Sequence, residues 1–100
     1  MTSVKTNSLT HLLGCYFHQD WPDEFNDDNA ALDAMIKSEP KETIAEGVTE
    51  IDRLLEAGTN EAELRAILID QVGCYFEPAS EGLNYTQWLL RVRNALEHGR

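Results

Sequence analysis

A chain of 100 residues, 42% of them apolar, can bury roughly two thirds of the surface its unfolded form exposes, and it is too apolar for a disordered or low-complexity class. Eighteen Asp and Glu against eight Lys and Arg give a formal charge of -10, which opposes binding to nucleic acid or to an anionic membrane, because both attract basic patches. Seventeen of the acids lie between residues 20 and 81 beside only four bases; such a field speeds encounter with a cationic protein, or simply solubilises the surface.

The first residues, Met1 to Thr6, are polar, and the apolar cluster after them stops at Phe17. Neither a secretory core nor a spanning helix is expected, so residues 1–7 read as a flexible N-terminus and the chain as cytoplasmic. Leu9, Leu12, Leu13, Tyr16 and Phe17 then form the stripe of one helix face, with Ser8 as the expected N-cap. A second helix is expected from Asn29 after the caps Asp27 and Asp28, with Leu32, Met35 and Ile36 inward, ending before Pro40. The third runs from about Lys41 to Ala57 on Ile44, Val48, Ile51, Leu54 and Leu55, and Gly58 supplies its left-handed stop. Asn60 and Glu63 form a capping box for a fourth helix bearing Leu64, Ile67, Leu68 and Val72, closed by Gly73. After a turn at Pro78 to Gly82, a fifth begins near Tyr85 and carries Trp88, Leu89, Val92 and Leu96. No convincing strand alternation occurs, so the fold class is all-α, a compact single-domain bundle of about five amphipathic helices spanning residues 1–100.

Gly-Cys-Tyr-Phe occurs twice, at 14–17 and 73–76. Two short copies make no solenoid and are read as similar helix-end packing. Cys15 and Cys74, both beside aromatic residues, are expected to be buried free thiols, although a single bridge between them stays open at this level. The one long connection, from Phe17 to Asp28, is near the length at which a structureless loop asks for a function. It holds five carboxylates and no base.

His18, Asp20, Asp23 and Glu24 are possible metal ligands, but they match no zinc template, and the calcium-loop pattern lacks its turn glycine. Neither metal nor cofactor is therefore assigned. His18 is read as a helix-end residue bonded to a backbone carbonyl or a nearby carboxylate. Cysteine catalysis would need Cys15 or Cys74 activated by His11 or His18, and a small metal-dependent or cysteine enzyme is the third reading, behind a protein-binding role. Trp21 and Phe25 within an acidic loop have the composition of an interface hot spot. Trp21 also suits a packing role over the ends of the first and fifth helices.

Tyr16-Phe17-His18-Gln19-Asp20-Trp21 resembles the signature of small immunity proteins from bacterial contact-dependent growth inhibition systems, often called CdiI. Glu61 to Arg65, Gly73 to Phe76 with Pro78, and Gly82 to Tyr85 leading to Trp88-Leu89 resemble that family's later blocks in the same order, so the resemblance covers roughly residues 9–97. It implies a cytosolic, non-enzymatic protein that neutralises the C-terminal toxin domain of a secreted effector. Such toxins are commonly nucleases, and the resemblance implies a basic toxin, an RNase, that would meet an acidic inhibitor by charge complementarity. On this resemblance Tyr16, Phe17, His18, Trp21, Tyr85 and Trp88 are family-motif scaffold. Asp20, Asp23, Glu24, Phe25, Asp27 and Asp28 are the expected partner contacts. An acidic helical adaptor for some other basic protein is the alternative.

Overall fold

The computed structural model describes residues 6–98 and is all-α among them. Helix α1 spans Asn7–Tyr16, α2 Trp21–Glu24, α3 Asp28–Ser38, α4 Lys41–Glu56, α5 Glu61–Ala66 and α6 Tyr85–His98. A π-helical extension, Ile67–Val72, continues α5, and a 3-10 turn, Pro78–Glu81, precedes α6. Five of the six α-helices match those expected. The short α2 is additional.

Helix α4 forms the spine, packing on both α1 and α6. Its Ile44, Ile51 and Leu54 are buried, while Val48 and Leu55 lie at the margin of the core. Leu9, Leu12 and Leu13 of α1, Leu32 and Met35 of α3, Leu64 of α5 and Trp88, Leu89, Val92 and Leu96 of α6 complete the interior. The capping box forms as expected, with Glu63 N–H donating to Asn60 Oδ1 at 2.9 Å and Asn60 N–H to Glu63 Oε1 at 3.4 Å. Gly58 and Gly73 stop their helices at φ +70° and +82°, a region that Cβ-bearing residues rarely enter.

The start of α1 departs from expectation. Its N-cap is Thr6, whose side chain makes no capping bond, and Ser8 lies inside the helix and is buried. The N–H groups of Ser8 and Leu9 are instead accepted by Glu50 of α4, at 3.3 and 2.9 Å, and Ser8 Oγ donates to Glu46 at 3.1 Å. A carboxylate from another helix thus performs the capping that a local side chain usually supplies. Of the residues expected to be a flexible N-terminus, 1–5 lie outside the described residues. Thr6 is buried and accepts a bond from the Gln71 amide at 2.7 Å, so it is anchored.

Both cysteines are free, but only Cys74 is buried; Cys15 is exposed, against expectation, because it falls on the outer face of α1. The tetrapeptide copies accordingly share a buried Phe and differ at Cys. Their rings meet, Phe17 and Phe76 lying 5.7 Å apart at an edge-on angle of 65°. Burial pushes the Cys74 thiol up to about 12, so at pH 8 the thiolate fraction is ~10⁻⁴. A disulfide reagent at pH 8 should label one thiol of the native protein promptly, Cys15, and the second only in denaturant; prompt labelling of both would contradict the packing around Cys74.

Candidate partner-binding site

The corner where α1 turns into α3 was expected to be an open loop, but it is ordered. Trp21 N–H donates to His18 O at 2.9 Å, Asp23 N–H to Asp20 O at 3.0 Å and Phe25 N–H to Trp21 O at 3.0 Å, which closes the single turn of α2. Pro22 in the first turn pre-sets the backbone there. Packing supplies the rest. Trp21 lies 5.4 Å from Phe17 and 5.5 Å from Phe76, and Trp88 of α6 lies 5.2 Å from Phe17 and 4.5 Å from Phe76. Phe17, Trp21, Phe76 and Trp88 therefore form one aromatic cluster, with edge-on and stacked pairs of the kind that stabilise beyond area alone. Trp21 is partly buried in it, against the end of α1 and next to α6 through its neighbours.

His18 caps the same corner. Its Nδ1 accepts from Asp20 N–H at 3.1 Å while Nε2 lies 3.2 Å from Glu24 Oε2. With Nδ1 accepting, Nε2–H is the donor toward Glu24. Tyr16 donates to Glu39 Oε2 at 2.9 Å, and His11 Nε2 sits 2.7 Å from the other oxygen of that carboxylate. Burial and then the Glu39 bond raise the Tyr16 phenol above its ordinary value. His11 is thus engaged by Glu39. Among the described residues no group of three or more His, Cys, Asp and Glu side chains is placed to hold a metal ion.

The expected contact residues divide. Asp20, Asp23 and Glu24 are exposed on or beside α2, placing three carboxylates within five positions on a rigid turn. Phe25 is only half-exposed and packs against Tyr16 at 6.3 Å between ring centres. Asp27 is exposed but spends one oxygen as N-cap of α3, accepting from Ala30 N–H at 2.8 Å. Asp28 is a correction. It is 1% exposed, and its Oδ2 accepts from Trp88 Nε1–H at 2.9 Å and from Arg91 at 2.9 Å. An interior carboxylate held by residues sixty positions away cannot touch a partner, and nothing in its local sequence distinguishes it from Asp27.

Tyr85 and Trp88 both lie in the core. Tyr85 is buried, and its N–H donates to Glu61 Oε1 at 2.6 Å, while Thr86 N–H and Oγ1 donate to Glu61 Oε2 at 3.0 and 2.7 Å. Glu61 of α5 thereby caps α6, as Glu50 caps α1. Although its partial burial opposes ionisation, the bonds from Thr86 and Tyr85 prevail and hold its carboxyl below the ordinary value. Burial, then the nearby Glu77, raise the Tyr85 phenol. These remote caps were missed because only their partners, not their own neighbours, mark them.

Among the described residues no helix is long and apolar enough to cross a membrane. The family model of the CdiI immunity protein matches residues 5–96. A chain in the crystal structure of the CdiA-CT/CdiI complex from Y. kristensenii 33638 is also similar, at 29% identity over 89% of this chain and 95% of that one, with a TM-score of 0.81. No curated protein matches the chain.

Proposed function

Because the chain belongs to the CdiI immunity protein family, we propose that it binds and neutralises the C-terminal toxin domain of a cognate contact-dependent growth inhibition effector, acting in the cytoplasm without catalysis of its own. The observation that carries this is the near full-length similarity to a chain of a CdiA-CT/CdiI complex. Family membership alone leaves the toxin's chemistry open. The charge of -10 favours a basic toxin, and a nuclease, in particular an RNase, is basic where it holds a phosphate backbone. The exposed carboxylates of Asp20, Asp23 and Glu24, with the free oxygen of Asp27, offer a cationic surface its first contact.

Co-expression tests the reading. Cells making the toxin domain encoded beside this gene should survive only when this chain is present, and the two proteins should purify together; death despite co-expression would refute it. Reversing Asp20, Asp23 and Glu24 together to Lys should slow association about tenfold or more at low salt and flatten its salt dependence. The three side chains are exposed, so the fold should survive. An unchanged association rate would remove α2 from the interface while leaving the survival result intact.

A further inference from the structure

Two large apolar side chains are exposed among the described residues, Tyr75 at 50% and Leu90 at 43%. Their settings differ. Leu90 lies on the outer face of α6 beside polar Thr86, Gln87 and Asn94 at helical spacing, where a single exposed leucine is ordinary. Tyr75 stands on the irregular segment between the π-helical extension and the 3-10 turn, and along it Cys74, Phe76 and Pro78 are buried while Tyr75 and Glu77 face outward.

That segment is fixed. Cys74 N–H donates to Leu68 O and Tyr75 N–H to Phe17 O, each at 2.7 Å, and Phe76 is locked in the aromatic cluster between Trp21 and Trp88. The bond to Phe17 O sets the Tyr75 backbone one residue from His18, at the α1–α2 corner. An aromatic ring held outward on a rigid support loses little freedom on binding, which is the condition for a strong anchor. Inward burial does not account for its placement, since Phe76 already fills the core position.

Resting on the reading that this chain binds a toxin domain, we infer that the exposed ring of Tyr75 is the central apolar anchor of that interface, covered by a Lys- or Arg-bearing surface of the partner. The chemistry follows from charge. A chain of net charge -10 with the exposed Glu77 two residues from Tyr75 repels nucleic acid and acidic proteins, whereas a cationic side chain gains from that field and from the face of the phenol.

The test uses the purified toxin domain encoded next to this gene and titration calorimetry on wild type, Tyr75→Ala, Tyr75→Phe, Tyr75→Arg and Leu90→Ala, with a melting curve for each. Tyr75→Ala should weaken binding about 30-fold or more, the range of an interface hot spot, at an unchanged melting temperature. Tyr75→Phe should stay within about threefold of wild type, because the ring is retained. Tyr75→Arg should bind more weakly than Tyr75→Ala through like-charge repulsion, and it carries the test should the alanine variant fold poorly. Wild-type affinity for both Tyr75→Ala and Tyr75→Arg would overturn this inference alone, as would a loss confined to Leu90→Ala, which would move the interface to α6. A wild-type chain that does not bind the toxin would overturn the functional reading along with it.

Discussion

Asp28→Ala should lower the stability of the fold by about 3–4 kcal/mol in urea denaturation, a large share of the roughly 5–15 kcal/mol that a domain of this kind possesses. The variant leaves the indole N–H of the fully buried Trp88 without an acceptor and removes the carboxylate that holds Arg91. An unpaired buried donor costs about 1–3 kcal/mol. Arg91 is 34% exposed and also reaches Glu81 at 3.5 Å, so it can turn to water, which keeps the total below that of a fully buried broken ion pair. Asp28→Asn should cost less, about 1–2 kcal/mol. Its carbonyl still accepts from Trp88, but the attraction to Arg91 weakens and the amide nitrogen enters the position of Oδ1, which has no hydrogen-bond partner among the described residues. Equal losses for Ala and Asn would mean that the charge facing Arg91 matters at this site and the Trp88 bond does not. A loss below 1 kcal/mol for Ala would contradict the role assigned to Asp28.

Glu50→Ala should cost about 2–3 kcal/mol and loosen the first turn of α1 before the rest of the fold. Glu50 is 3% exposed and accepts two backbone N–H groups that have no intrahelical partner, those of Ser8 and Leu9. Charge-assisted bonds of this type are about twice as strong as neutral ones, and the negative charge also meets the positive end of the helix dipole. Thr6 offers no capping bond of its own to replace them. Glu50→Gln, which keeps one acceptor without the charge, should lose about 1 kcal/mol. Amide hydrogen exchange locates the effect: Ser8 and Leu9 should lose protection in the alanine variant well beyond the loss at Leu54 or Val92. Uniform loss across the chain would show that Glu50 acts through core packing instead.

These two residues change how the acidic composition is understood. Charge counting treats Asp and Glu as one surface field, yet Asp28 and Glu50 are interior, Glu61 caps α6, Asp52 pairs with Arg93 at 2.6 Å, and Glu39 holds Tyr16 and His11. Part of the acidity builds the bundle, and the rest, including Asp20 and Asp23 on the ordered α2 corner, lies on the surface.

The helices themselves were legible in the sequence. The period of Ile44, Ile51 and Leu54, the Asn60–Glu63 box and the stops at Gly58 and Gly73 involve residues within a few positions of each other, so local pattern determines them. The family signature at Tyr16 to Trp21 was legible too. Tertiary structure alone decided the rest. Ser8 lost the N-cap to Glu50, 42 residues away; Trp21 turned a loop into a helix by packing on Phe76; Asp27 and Asp28, adjacent and chemically identical, were sent to opposite environments by an indole 60 residues on. A carboxylate carries no mark of which donor it will meet, so sequence specified where the helices run, and only their packing specified which acids face inward and which stay on the surface.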